Sequence, residues 1–445
     1  MAFLALALFA IVLVLAYLIS KRDLLSPWFL LCLAITVSFF IVTLNYSKWE
    51  VKINGTFIVF VLCAMMSWGV GAALVRRLSP QAESCGMLKT QLPIKSSGVK
   101  RRYPAELFII VSLAFMLGYV TKLFLSVSDV PSITAKLRQI YDNTVNGYSP
   151  GTIFSQMREV VVAIAYINTF RLFQRLFSGK DGVSVIKLIV PIVAFGVLVL
   201  VSTDRNIFIR YAIYFICLFV LFLRENIKRD NVNVRIVQCV LVLLLLMVII
   251  FFIMGKMKQY KSDIFHSLSI YGGSGLYDFN IWLESFDGNL QYGTSTFQTF
   301  LGSLESILKP LGISFGDLVQ NNRFDPFIEY TTSGGFVYTS NIYSAFKPYV
   351  EDFGCLGMVI FPFVTGMFYE WLYLKVRRSK YSFSWIIYCA LIYPVIFYPI
   401  AEQLFRRFHL GIVYEIFWLT AIYLAVYGNY GAGIRRKRIR RGQKR

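Results

Sequence analysis

The sequence predicts an all-α, polytopic transmembrane helix bundle of about eleven spans, forming a single integral membrane domain over residues 1–445. Three observations predict it. The chain is 57% hydrophobic and only 16% charged, whereas a soluble globular domain is about a quarter charged. Its apolar residues lie in long runs, each near the roughly 18 or more residues that cross a bilayer core. Lys and Arg cluster between those runs, as they do in cytoplasmic loops.

Taken in order, spans are predicted at 2–20, 26–45, 56–75, 105–125, 152–170, 186–203, 206–223, 235–254, 353–374, 382–400 and 409–427. The first has no N-terminal Lys or Arg and is followed by Lys21-Arg22. It therefore reads as a span and not as a cleavable signal, which begins with a basic region. The net charge of +21 raises the question of nucleic acid, but its distribution answers against it. If the 76–104 loop is cytoplasmic and the sides alternate, the inner segments hold 29 of the 45 basic residues. Eight of these lie between Arg435 and Arg445, in a basic cytoplasmic tail over 432–445. That tail reads as a topology anchor attracted to anionic lipid. The N-terminus is then outside and the C-terminus cytoplasmic.

The seven cysteines contain no CxxC pair, so neither a disulfide framework nor a metal site is expected. His266 and His409 are the only histidines, which argues against a zinc enzyme. Two predicted outer loops are long, 126–151 and 255–352. A connection near a hundred residues suggests a functional element. The large extracytoplasmic loop over 255–352 is rich in aromatic, Gly, Ser, Thr and Asn residues. That make-up suits a carbohydrate surface, where rings meet sugar C–H faces and polar side chains bond hydroxyls. An outer cap packed for stability, with aromatics at the headgroup belt, has the same make-up. Within the loop, Phe297, Phe300, Leu301, Leu304 and Leu308 fall at helical spacing. They predict an amphipathic helix on the membrane face, ended by Pro310 and Gly312.

The short turn Ser202-Thr203-Asp204-Arg205-Asn206 offers an N-cap, Thr203 or Asp204, for the following helix. The helix N-terminus is a ready anion site. Arg205 stands there, and Arg210 lies about 7.5 Å deeper at helical rise. Intramembrane Arg is a functional candidate by default, and guanidiniums grip phosphate in a bidentate way. A buried carboxylate partner would instead make Arg210 a packing lock. Arg158 adjoins Glu159, but neighbours on a helix point about 100° apart, so the two are not expected to pair. It faces the same interior site or snorkels outward. Glu402, Arg406, Arg407 and His409 form a charged junction between the last two spans. Glu351 and Asp352 sit at the predicted membrane edge, where a partly desolvated carboxylate can serve as general base. Acids decorating a helix N-terminus are the alternative.

The segment S-N-I-Y-S-A-F-K-P-Y-V-E-D-F-G-C-L-G, Ser340 to Gly357, resembles the loop-to-span motif of Wzy-type oligosaccharide repeat-unit polymerases. That family pattern is roughly T-N-x-Y-T-x-F-x-x-x-x-x-D-F-G-x-x-G. Ser340 and Ser344 stand where Thr is commoner and keep the hydroxyl. The stretch S-I-Y-G-G-S-G-L-Y-D-F-N, Ser269 to Asn280, is similar to the start of that family's large outer loop. The T-D-R-N turn resembles its small-residue and Arg turn. The resemblance implies a bacterial inner-membrane glycosyltransferase of the O-antigen and capsular polysaccharide polymerase family, with a fold similar to the C-type membrane transferases. It implies that glycan is taken from undecaprenyl pyrophosphate and joined to a second lipid-linked repeat unit.

On this expectation Arg205, Arg210, Arg158 and Arg323 neutralise the donor pyrophosphate. Glu351 or Asp352 activates the acceptor hydroxyl, with His409 in reserve. Tyr338, Asn341, Tyr343, Lys347 and Tyr349 position sugars. No metal or cofactor is required, because side chains supply the cations. The expected partners are undecaprenyl-pyrophosphate-linked glycans, membrane lipid and a chain-length regulator protein, with no nucleic acid. Two rivals share the cationic outer face: a ligase that moves finished glycan to another acceptor, and a transporter of lipid-linked glycan. No internal repeat of the kind common in transporters is evident.

Overall fold

The computed structural model describes residues 1–79, 103–127, 132–145, 148–179, 183–202, 204–226, 232–257, 264–316, 327–331, 337–406 and 410–427. The described residues are helical almost throughout, with one two-stranded hairpin. Among the described residues eight helices are long and apolar enough to cross a membrane, and three shorter apolar helical stretches, Ile236–Ile250, Phe383–Phe397 and Ile412–Tyr427, overlap the other predicted spans but fall short of that length. The chain is thus a multi-pass, all-helical membrane protein. Most of the 76–104 loop and the whole 432–445 tail lie outside the described residues. The chain divides into two compact units.

Unit 1 comprises Met1–Lys89, Ser262–Lys380 and Leu391–Leu410. It opens with α1 (Ala2–Ile19), α2 (Pro27–Leu44) and α3 (Gly55–Leu78). Pro27 begins α2 at the first helical position, where a missing N–H costs nothing. Asn54 caps α3 by accepting the Thr56 N–H at 3.0 Å. Phe9, Phe39 and Phe57, all fully buried, join the three helices in one ring cluster.

Unit 2 comprises Thr90–Lys261, Tyr381–Ala390 and Gly411–Arg445. Its helices are α4 (Ala105–Phe124), α5 (Ile133–Val145), α6 (Thr152–Ser178), α7 (Val185–Ser202), α8 (Arg205–Asn226) and α9 (Val232–Met257). Helices α4, α6 and α7 pack on one another. A column of rings from Phe170, Phe173, Phe177, Phe215, Phe219 and Phe222 holds α6 to α8.

From Ser262 the chain returns to unit 1, and the described residues of the 255–352 segment carry regular elements. It carries α10 (Ile264–Ser269), one π-helical turn (Ile270–Ser274), α11 (Gly275–Ser285), α12 (Gln298–Leu308) and a hairpin of β1 (Ile328–Thr331) and β2 (Val337–Ser340). The predicted amphipathic helix is α12. It ends through a 3-10 turn at Lys309–Leu311 and Gly312, whose φ of +80° suits glycine. The π-turn and α11 were not expected. They fit because glycines bring backbone close: a Cβ on Gly275 would lie 2.5 Å from the Pro399 carbonyl oxygen.

The last elements are α13 (Phe346–Arg378), α14 (Phe383–Leu391), α15 (Tyr393–Phe397) and α16 (Leu410–Tyr427). Of these, α13 belongs to unit 1 and packs most extensively on α3. Glycines make that contact: a Cβ at Gly71 would meet the Phe363 carbonyl oxygen at 2.3 Å, and one at Gly366 would meet that of Trp68 at 2.4 Å. Small residues let membrane helices approach this closely. The predicted ninth span starts later than α13 because α13 is broken at Gly354, with φ 58° and ψ −142°, a conformation close to glycine-only backbone. A short helix therefore precedes the span and folds back on it. Gly357 permits the fold, since its Cβ would stand 2.0 Å from the Tyr349 carbonyl oxygen.

Candidate functional site

The motif segment of unit 1 gathers around the broken start of α13. Because the helix stops at Gly354, the carbonyls of Glu351 and Asp352 are free to accept other donors. They take the N–H groups of Gln291 (3.0 Å) and Tyr292 (3.2 Å). The Asp352 side chain is fully buried. Its two oxygens accept the Ser295 N–H at 3.1 Å and the Thr296 N–H at 2.5 Å. Asp352 thus anchors the 291–297 turn to α13. Glu351 is half-buried, and its oxygens accept from Gln291 Nε2 (3.1 Å) and Ser295 Oγ (2.7 Å). Of the two acids, Glu351 is the one with part of its surface reachable.

Three expected sugar-facing residues are instead interior. Tyr349 is fully buried, stacks on Phe361 at 4.6 Å between centroids, and donates its hydroxyl to Glu402 Oε1 at 3.1 Å. Tyr343 and Lys347 are each 4% exposed. The Lys347 ammonium lies 4.4 Å from the Tyr343 ring centroid and 5.7 Å from that of Trp282, a cation–π arrangement. Their rings and charge are used on each other, which is why they do not face outward here. Asn341 is half-buried. The Tyr338 side chain, Arg323, Arg407 and His409 lie outside the described residues.

Glu402 is a second anchor. It accepts the N–H groups of Leu404, Phe405 and Arg406 at 2.9, 3.0 and 2.5 Å. Burial pushes its pKa up, and these backbone donors, with the Tyr349 hydroxyl, pull it back. Arg406 donates from Nε to the Ser295 carbonyl at 3.3 Å, so the charged junction is in part a set of inward ties.

The two loop segments of the motif meet in space. Ser340, the last residue of β2, bonds through Oγ to Ser274 Oγ of the π-turn at 2.9 Å. The Ser344 N–H donates to the Gly275 carbonyl at 3.0 Å. Beside them lies a residue that sequence reasoning quoted without assigning any chemistry. Asp278 of α11 is fully buried, and neither carboxylate oxygen completes a hydrogen bond. Burial pushes its pKa up to about 8, against the weaker pull of the Ser340 and Ser274 hydroxyls. The one available signal was a lone acid in an apolar, glycine-rich stretch. π-Helical turns are frequent at functional sites.

In unit 2 the guanidiniums are matched by carboxylates. Asp204 caps α8, its Oδ1 accepting the N–H groups of Asn206 (3.0 Å) and Ile207 (3.3 Å). The cap expected at Thr203 or Asp204 is therefore Asp204, and it occupies the N–H groups that were to hold an anion. Arg205, the first residue of α8, is half-buried. Arg210 is 8% exposed and forms an ion pair with Glu415 of α16, itself 7% exposed. This is the packing lock that the sequence left open. Arg158 does pair with its neighbour Glu159, at 2.7 Å, contrary to the expectation from helix geometry. The long arginine stem curls back where a shorter side chain could not. Tyr119 of α4 and Asp204 also interact electrostatically with Arg158. Arg158 and Arg210 are thus each paired with a resident carboxylate.

Among the described residues no three His, Cys, Asp or Glu side chains lie together as a metal-ligating group. The chain matches no family model, no curated protein and no solved structure.

Proposed function

We propose that the chain polymerises undecaprenyl-pyrophosphate-linked oligosaccharide repeat units at the outer face of the bacterial inner membrane. The observation that carries this reading is the interlock of the two loop segments, Ser269–Asn280 and Ser340–Gly357. They lie far apart in sequence and are the same two that resemble the polymerase family. They are tied at Ser274 to Ser340 and at Gly275 to Ser344. The D-F-G-x-x-G element has a physical reason too, since both glycines shape the broken helix.

The chemistry is a displacement at the anomeric carbon of the donor glycan. The acceptor hydroxyl oxygen forms the new C–O bond, and the bond to the diphosphate oxygen breaks. The lipid diphosphate leaves with the electron pair. Arg210 of unit 2 is left to its lock on Glu415. In unit 1 Glu351 takes the acceptor proton, and Asn341 bonds glycan hydroxyls. Cationic groups that meet the leaving charge lower the barrier by electrostatic stabilisation.

Purified protein given one kind of lipid-linked repeat unit tests the reading. A ladder of products supports it. Transfer only when a different acceptor is added identifies the ligase, and movement across vesicles without any new bond identifies the transporter; either outcome overturns polymerisation.

A further inference from the structure

Asp278 stands out in unit 1 as a fully buried acid whose carboxylate oxygens complete no hydrogen bond. The elements around it carry no charge to neutralise it. Helix α11 packs on the π-turn, α2 and α3. Helix α2 has no Asp, Glu, Lys, Arg or His, and α3 has only Arg76 and Arg77, in its last turn, away from the end where Asn54 meets Asn280 at 2.9 Å. Their cysteines are Cys32 and Cys63. The π-turn contributes only Tyr271, which is 43% exposed. On α11 itself Tyr277 adjoins Asp278 and donates to the Trp49 carbonyl at 3.4 Å, and Glu284 lies beyond. Glu50 and Lys52 are exposed on the turn before α3. Lys347 sits over Trp282, a turn further along α11. Tyr398 borders the 399–400 backbone that faces Gly275.

Hydrogen-bond supply points the same way. An ionised carboxylate offers about four acceptor sites. The Ser274–Ser340 bond uses one of the two neighbouring hydroxyl protons, so an ionised Asp278 is short of donors. A protonated carboxyl brings a donor of its own. Ser340 Oγ also accepts the Ile342 N–H at 3.2 Å, so the same hydroxyl holds the exit from β2.

We propose that Asp278, with the Ser274 and Ser340 hydroxyls, is a proton-binding site that latches the foot of the β1–β2 hairpin to the π-turn. With the proton bound, the latch is closed. Loss of the proton leaves a buried, unpaired charge and opens the link at Ser340. The inference does not depend on the transferase reading.

Hydrogen exchange of full-length protein in lipid nanodiscs, from about pH 6 to about pH 9.5, tests it across the value reached by Asp278. After correction for intrinsic exchange, protection of amides 337–345 in the wild type should fall by up to about tenfold per pH unit as pH rises toward that value, and level off above it. Asp278→Asn should abolish that dependence, and Ser340→Ala should lower protection at every pH. The same pH profile in wild type and Asp278→Asn overturns the proposal. If Asp278→Asn fails to fold, infrared spectra of wild-type protein carrying carboxyl-labelled aspartate decide. A protonated aspartic-acid band at neutral pH that disappears at the alkaline end supports the site, and its absence at neutral pH overturns it.

Discussion

The Arg210–Glu415 pair separates a structural role from a chemical one. Both side chains are about nine-tenths buried, at 10% and 9% exposure. Removing one partner leaves an uncompensated buried charge, which costs about 3–5 kcal/mol, whereas replacing both by apolar residues of similar volume is often neutral or stabilising. Glu415→Gln and Arg210→Met should each destabilise the protein on that scale. For a body of this size each kcal/mol moves the melting temperature by about 2–4 °C, so each loss is on the order of 10 °C. The double variant Arg210→Met/Glu415→Leu should recover most of it. Melting in detergent by intrinsic fluorescence reads the stability, and the ladder assay on the same preparations reads activity. The account expects the double variant to melt near the wild type and to polymerise within a few-fold of it, because Arg210 locks α8 to α16 and has no chemical part. A stable double variant that makes no polymer would refute that division of roles.

Three further predictions follow from single contacts. Asp278 has its folded pKa near 8, above the ordinary 3.8, so the native state binds the extra proton between those values. Stability should therefore fall with rising pH across that window, by up to about 1.4 kcal/mol per unit, and level off above it; Asp278→Asn should remove that slope in melts between about pH 5.5 and pH 8.5. Gly357→Ala should abolish well-folded protein in size-exclusion profiles, since its Cβ would meet the Tyr349 carbonyl at 2.0 Å, whereas Gly196→Ala, with nothing within 4 Å, should be tolerated. Glu351→Gln should leave the melt within about 1 kcal/mol, as a half-buried neutral swap, yet lower the polymerisation rate at least about a hundredfold if Glu351 is the base; Asp352→Ala should instead loosen amides 291–297 in hydrogen exchange, because it removes their acceptor.

The parts of the fold that were legible in the sequence are those set by local pattern. The apolar runs located the long helices, and the cap was narrowed to Thr203 or Asp204 because capping needs only a short polar side chain two or three residues before a donor; Asp204 is the one that caps. The short helix before the ninth span was not legible because hydropathy does not register a backbone break, and Gly354 puts one just where the apolar run begins. Helix α11 was not predicted: glycine is a poor helix former, although at Gly272, Gly273 and Gly275 the missing side chains serve close packing against Ile41 and the Pro399 backbone. Partners are the least legible quantity. Glu415 lies far along the chain from Arg210, and nothing local announces which carboxylate a buried arginine will find. The Arg158–Glu159 pair was excluded by treating side chains as short vectors, when an arginine stem is long enough to curl to its neighbour. Asp278 could be seen in the sequence, but its burial and its want of partners exist only in three dimensions.

The most direct measurement of the central claim is mass spectrometry of the products formed by purified protein from a single undecaprenyl-pyrophosphate-linked repeat unit. The account predicts a series spaced by one repeat-unit mass, with one undecaprenyl pyrophosphate released for every linkage made. Unchanged starting material, from protein that is folded and correctly assembled in lipid, would contradict it.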